Sequence, residues 1–193
     1  NNTQIIIDGV QAETVAAGGT VISLYSDVTG ISRDIAVSNV VAKNVPTVID
    51  LTSDSPGLLQ NVSITNVSVK DVTTVVFRVA GVRRATISNV SAENAAQFLN
   101  VIVGTNDDVR FSNLTIGRTS ASSASMFNFV VGKNFVIEDV DILDPDMADG
   151  SSNSIIKAPA GSTLDGLGVH NMRVYYRNVP ARNSVFDLRA GDN

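Results

Sequence analysis

Cysteine and tryptophan are absent from the 193 residues, and histidine occurs once, at His170. Without cysteine the chain can form no disulfide bond, thiolate metal site or cysteine nucleophile. A single histidine argues against a multi-histidine zinc site and against a histidine-based triad. The sequence therefore predicts no metal and no cofactor, and it identifies no catalytic residue.

Long apolar runs and basic clusters are missing as well. No run approaches the roughly 20 apolar residues of a membrane helix, so we expect no membrane insertion. Lys and Arg number 14 against 19 Asp and Glu, a net charge of −5, and no basic block could follow a phosphate backbone. Nucleic acid is therefore excluded as an expected partner.

A folded core is supported by the 44% of residues that are apolar, and 29 valines against 10 leucines favour strands over helices. This length predicts one domain over residues 1–193. No secretory apolar region follows Asn1, so we expect a mature or excised segment rather than a precursor. We further expect this domain to be a module of a larger chain or assembly.

A repeat of 23 to 32 residues organises the chain and indicates a solenoid. In each repeat a turn-tolerant residue is followed by an apolar one. These anchors are Gly9, Asn39, Asn66, Asn89, Asn113, Asp139 and Asn171. Apolar residues lie two and four positions before each anchor and one and three positions after it. The alternation thus changes phase at the anchor, which predicts a corner where Gly, Asn or Asp adopts a left-handed conformation.

A second set of strands lies between the corners, and each carries a polar residue at its third position. These residues are Ser23, Asp50, Arg78, Asn100, Asn128, Lys157 and Asp187. If they point outward, their apolar neighbours on both sides point inward. The pattern predicts an all-β solenoid of about seven coils with three strands per coil.

This pattern resembles the right-handed parallel β-helix of the pectin-lyase-like superfamily, which includes polysaccharide lyases, glycoside hydrolases and phage tailspikes. The corner asparagines of that family match five of the anchors, with Gly9 and Asp139 as variants. The paired aspartates and Gly-His-Gly motif of the polygalacturonases are not found. The resemblance therefore implies the architecture and leaves the activity open.

The third-position residues form the candidate site. Stacked coils lie about 4.8 Å apart, so Asp50 becomes a neighbour of Arg78, and Lys157 of Asp187. Ion pairing between adjacent coils is one interpretation. The resemblance implies another, a carbohydrate-binding face. Its residues would be Asp50, Arg78, Asn100, Asn128 and Lys157. An aromatic content of 5% argues against a deep saccharide groove and leaves shallow recognition open.

Two further clusters permit alternatives. The oxygens of an acidic stretch suit calcium, and its members are Glu138, Asp139, Asp141, Asp144, Asp146 and Asp149. Strand alternation instead places Glu138 and Asp141 on the outer surface and Asp139 in the corner ladder. The other three are then expected in a solvated loop. His170 lies beside Arg173 and Tyr175 and is interpreted as a surface histidine that could contact a sugar.

Three functions follow. The first is an extracellular or phage-borne module that recognises a surface polysaccharide, as the tailspike resemblance implies. The second is a polysaccharide lyase or hydrolase on the same face. Asp50 and Asp187 lie five coils apart, roughly 24 Å, so they cannot act as a glycosidase pair and the sequence leans against an enzyme. The third is a purely structural or adhesive solenoid.

Assembly is predicted from the residues that precede the polar ones. If the strand alternation is strict, seven apolar side chains face outward: Val21, Val48, Val76, Phe98, Met126, Ile155 and Val185. A second outward row, apolar through its middle, consists of Tyr25, Thr52, Ala80, Ile102, Val130, Pro159 and Arg189. Contiguous apolar stripes mark interfaces. We therefore expect a homo-oligomer, with a trimer favoured by the tailspike resemblance, and both solenoid ends covered by other chain or subunits.

Overall fold

A computed structural model describes residues 3–27, 30–54, 58–102, 104, 106–119, 125–145, 154–176 and 184–189. Its strands are β1 (Thr3–Glu13), β2 (Thr20–Ser26), β3 (Ile31–Ser53), β4 (Leu58–Ala80), β5 (Val82–Ala95), β6 (Leu99–Val101), β7 (Asp107–Thr119), β8 (Ser125–Phe129), β9 (Val131–Leu143), β10 (Ser154–Ala158), β11 (Thr163–Tyr175) and β12 (Ser184–Leu188). Every pairing between them is parallel. The part of the chain that is described holds no helix long and apolar enough to span a membrane.

The strands form two stacks of seven rungs each. The first contains β1, β3, β4, β5, β7, β9 and β11 in that order. The second contains β2, the ends of β3 and β4, and then β6, β8, β10 and β12. The chain is a right-handed parallel β-helix, and seven rungs enclose about six turns. The predicted fold is confirmed.

Each rung has three faces, defined here on the second rung. Face 1 is residues 35–38, face 2 is residues 40–43 and face 3 is residues 49–52. The corner between faces 1 and 2 lies at the predicted anchor, and Asn39 has a φ of 55°. All seven anchors have positive φ. Since strands such as β3 run through their corners, the predicted three strands per coil correspond to these three faces.

Two further left-handed ladders flank the anchors at a spacing of five residues, and sequence analysis missed both. On the second rung they lie at Asp34 and Asn44, with φ of 58° and 53°. Side-chain amides bond along these ladders, as from Asn61 Nδ2 to Asp34 Oδ1 at 2.8 Å and from Asn94 Nδ2 to Asp71 Oδ1 at 2.7 Å. Faces 1 and 2 are therefore each bounded by two left-handed corners, with four residues between them.

The core is one continuous cluster of apolar side chains enclosed by the three faces. Face 1 supplies Ile35 and Val37, and face 2 supplies Val40 and Ala42, each 2% exposed or less. Phenylalanines fill the middle rungs, where the ring centroids of Phe98 and Phe127 lie 5.2 Å apart. The inward positions predicted around the anchors are therefore confirmed.

The predicted outward stripe is wrong. Val48 and Phe98 are fully buried, and Met126 is only 1% exposed. The chain bends between faces 2 and 3, so two consecutive residues, such as Val76 and Phe77, both enter the core. Strict alternation holds only within a straight strand.

The other predicted outward row also fails in part, since Ala80 is 2% exposed. Ile102, Val130 and Pro159 of this row are half-buried on three successive rungs, so a short apolar patch stands where long stripes were predicted. The main reason given for a homo-oligomer through face 3, the stripe of seven outward residues, is removed, and the trimer stays a prediction.

The terminal rungs are more exposed than the middle ones. Inward side chains such as Ile7 and Val169 are half-buried, and Phe186 is 48% exposed. The described residues include no helix that covers either end. Coverage of the ends by other chain or subunits stays a prediction.

Candidate functional site

The polar residues of face 3 form one straight column along the solenoid, called here the polar column. The strand register pairs Ser23 with Asp50, Asp50 with Arg78 and Arg78 with Asn100. It continues through Asn128, Lys157 and Asp187. All five residues predicted to bind carbohydrate are therefore adjacent members of one column, in the predicted order.

Side chains of the polar column bond to one another. Arg78 Nη1 donates to Asp50 Oδ2 at 3.3 Å, and the Thr52 hydroxyl donates to Asp50 Oδ1. Two rungs on, Asn128 Nδ2 donates to Asn100 Oδ1 at 3.0 Å. These contacts fix the orientations of the polar groups.

Burial is intermediate along the polar column from Asp50 onward, whereas Ser23 at its start is exposed. The side chain of Asp50 is 15% exposed and that of Arg78 is 36% exposed. Asn100, Asn128 and Lys157 are likewise half-buried. A hydrogen bond in such a position is less screened by water than one on a fully exposed side chain.

The far end of the polar column is also paired. Arg189 Nε donates to Asp187 Oδ1 at 2.8 Å, whereas Oδ2 of the same carboxylate is buried without a hydrogen-bond partner. Lys157 neighbours Asp187 in the register, as predicted.

Face 3 is held against face 1 by a compact turn. Gly81 has a φ of 72°, and Ser53 Oγ of the preceding rung donates to its carbonyl at 3.1 Å. A Cβ at Gly81 would lie 1.9 Å from that hydroxyl oxygen, so this turn accepts only glycine without rearrangement. The close turn fixes where the polar column lies relative to face 1.

Carboxylate pairing suited to glycoside hydrolysis is not found along the polar column. Asp50 and Asp187 are separated by five rungs, roughly 24 Å. Hydrolysis needs two carboxyl groups about 5 to 10 Å apart. Asp50 and Asp187 are therefore too far apart to act together in acid–base cleavage.

Three of the six carboxylates of the acidic stretch form hydrogen bonds or ion pairs with neighbouring rungs. Glu138 receives two hydrogen bonds from Arg110, at 2.7 and 2.6 Å, and Asp141 receives two from Arg173, at 2.6 and 2.9 Å. Asp139 lies in the corner ladder, where its Oδ1 accepts from an asparagine amide at 2.6 Å. These three carboxylates thus already have cationic or amide partners.

Among the described residues, the rest of the acidic stretch forms no metal-binding cluster. Asp144 has a φ of 52°, and Asp146 and Asp149 lie outside the described residues. In the part of the chain that is described, no group of three or more acidic or histidine side chains could hold a metal ion.

The predicted cluster near the last rung is exposed. His170 is on the outer surface of face 1, and Tyr175 is 51% exposed on face 2. Arg173 forms an ion pair with Asp141, and the hydrogen bonds of this pair raise the pKa of the Arg173 guanidinium. The corner at Asn171 separates His170 from the other two residues.

One feature of the surface was missed by sequence analysis. An open groove of about 320 Å³ crosses face 1 over three rungs, and Arg84, Asp108 and Arg110 contribute to its walls. The signal that could have revealed it is the arginine at a position where most other rungs carry Asn, Asp or Gly.

Comparisons with known proteins add no relative. No protein-family model matches the chain, and neither a curated protein nor a solved structure matches it.

Proposed function

We propose that this chain is a β-helical module that recognises a surface polysaccharide through the polar column of face 3. The observation that carries the proposal is the column itself: half-buried polar side chains, adjacent on successive rungs and bonded to one another. Orientation before binding reduces the entropy that a ligand must overcome.

The spacing of the polar column suits a linear polymer. Rungs repeat about every 4.8 Å, so the column offers a regular series of donors and acceptors over several rungs. An arginine has five N–H donors, and an asparagine offers both donor and acceptor groups. Arg78, Asn100 and Asn128 can therefore bond to hydroxyl groups in addition to the contacts within the column.

The family and location are part of the same proposal. The three-faced solenoid with corner asparagines supports membership of the pectin-lyase-like superfamily, and a receptor-binding role like that of a phage tailspike follows by analogy. Such a module acts outside the cell or on a virion surface. Polysaccharide cleavage is the alternative in the same family, and the 24 Å between Asp50 and Asp187 argues against hydrolysis by that pair.

The experiment is an array of acidic and neutral bacterial polysaccharides probed with the parent chain. Arg78→Ala and Asn128→Ala each remove polar groups from the column, and we expect at least a tenfold loss of binding. Lys70→Ala is the matched control, because Lys70 forms a 3.0 Å ion pair with Glu93 on the exposed surface of face 2.

Two results would contradict this proposal. Folded parent protein that binds no polysaccharide on the array would favour the purely structural solenoid. Release of unsaturated or reducing ends would favour an enzyme, and loss of that activity in Arg78→Ala or Lys157→Ala would place the chemistry on face 3.

A further inference from the structure

The first and last rungs of faces 1 and 2 each present an open strand edge. Among the described strands, β1 pairs only with β3 and β11 only with β9, at opposite ends of one stack. The outer edge of such a strand carries backbone N–H and C=O groups that can pair with a further strand. Because every pairing in the stack is parallel, β11 of one copy and β1 of another can meet in the same way as two neighbouring rungs.

Inward side chains at both edges are less buried than those one rung further in. Ile7 and Val169 are half-buried, whereas Val37 and Ile137 are 1% exposed or less. The register through all seven rungs gives each inward residue of β11 an equivalent on β1. In a stack of two copies the facing inward pairs would be Leu167 with Ile5, Val169 with Ile7, Met172 with Val10, and Val174 with Ala12. All four pairs are apolar, so a second copy would continue the core across this junction.

Outward side chains at the two edges are complementary. In the same register, a side-chain acceptor on β1 faces a side-chain donor on β11 at three exposed positions. These pairs are Asp8 with His170, Gln11 with Arg173, and Glu13 with Tyr175. A fourth position sets Ile6, which is 68% exposed, against Gly168, which has no side chain to obstruct it. Two surfaces of one chain therefore match each other, which identifies the partner as a second copy of this chain.

Existing contacts leave capacity in these side chains for a second copy. Ser38 and Asn39 both donate to Oδ1 of Asp8, at 2.7 and 2.8 Å, and the other carboxylate oxygen can accept a further bond. Arg173 directs Nε and Nη2 to Asp141, which uses two of its five N–H donors. We propose that the last rung of one copy binds the first rung of a second copy, head to tail through faces 1 and 2.

This junction is heterologous, because each of the two copies contributes a different end. Copies related by a shift along the solenoid axis do not close into a ring, so they add in a line. Each copy adds seven rungs, about 34 Å at the spacing of paired strands. A trimer of parallel helices would instead have a fixed mass. The polar column of face 3 stays on the outer surface, so failure of this inference leaves the proposed function standing.

Charge variants at the two ends test the junction. His170→Asp places a carboxylate opposite Asp8, and Asp8→Lys places a cation opposite His170 and near Arg173. Sedimentation velocity and negative-stain electron microscopy, from micromolar to millimolar concentration, follow the growth of assemblies. We expect the parent to form filaments with a subunit repeat of about 34 Å, and each variant alone to require at least a tenfold higher concentration. Thr65→Lys is the matched control, because it introduces a cation into the same outward column on an interior rung.

An equimolar mixture of the two end variants separates a lost junction from lost folding. In the mixture the new carboxylate can face the new lysine, and the two unchanged ends can face each other. We therefore expect the mixture to grow at the same concentration as the parent. The inference is overturned if the parent stays monomeric at millimolar concentration or forms a closed oligomer of fixed mass. Growth of either end variant at the parent's concentration, a mixture that grows no better than its components, or blocked growth in Thr65→Lys would each overturn it as well.

Discussion

Asn106 provides a sensitive test of how the rungs are joined. Its side chain is 2% exposed and bonds to three successive rungs: Oδ1 accepts from Val82 N at 3.3 Å, and Nδ2 donates to Ile102 O at 3.2 Å and to Val131 O at 3.3 Å. Asn106→Ala removes all three bonds. At a net 0.5–1.5 kcal/mol per bond, the loss in unfolding free energy is about 2 to 4 kcal/mol.

Urea denaturation followed by far-UV circular dichroism measures this loss. Asn128→Ala is the control, since this half-buried residue has one described amide bond along its column and should cost about 1 kcal/mol. A stability of Asn106→Ala within about 0.5 kcal/mol of the parent would refute the bridging role.

Asn106→Asp adds a pH signature. A carboxylate cannot donate to the two carbonyl groups, and its burial raises the folded-state pKa above the unfolded value of about 3.9. The folded state then holds more protons than the unfolded state between these two pKa values. Stability of the variant should therefore fall as pH rises through that window, whereas the parent shows no such added slope. Equal stability of variant and parent at pH 7 would contradict the geometry.

Three further outcomes are expected. In urea denaturation, Gly81→Ala should lower the free energy of unfolding by about 3 kcal/mol or more, because its Cβ would meet a serine hydroxyl at 1.9 Å. Gly9→Ala has a φ of 70° but open space around the Cβ, so it should lower that free energy by only about 1 to 2 kcal/mol. Phe98→Ala should cost about 3 to 5 kcal/mol and leave the sedimenting mass unchanged, since the ring is in the core; a change of mass without loss of stability would restore the interface interpretation. Hydrogen bonding, first from Ser38, lowers the pKa of Asp8 below 3.8. The stability that the charged Asp8 contributes is therefore present above that pH and is lost as pH falls through the folded-state pKa. A thermal-midpoint titration of Ser38→Ala should therefore show a smaller acid loss than the parent; an identical acid loss would count against the contact.

The predicted fold followed from residues whose chemistry leaves few alternatives. A corner such as Asn39 combines a turn-tolerant residue with a change of alternation, and both signals lie within eight residues of sequence. The polar column was predictable for the same reason, because a charged residue such as Arg78 between two inward apolar residues has one reasonable orientation.

The errors came from backbone geometry that residue type does not encode. Val48 and Ile49 are both apolar, and alternation alone cannot show that a bend directs both into the core. Each outer ladder includes a residue type that gives no turn signal, Arg84 in the ladder before the anchors and Thr14 in the ladder after them. The groove depends on that same corner, where the arginine becomes a signal only once the ladder position is known.

The central claim, polysaccharide recognition by face 3, is tested most directly by a crystal structure of the parent chain soaked with an oligosaccharide from the polysaccharide that the array selects. We expect sugar rings along the polar column, with hydroxyl groups bonded to Arg78, Asn100 and Asn128. Saturated binding in solution with the sugar located away from face 3 would contradict the claim.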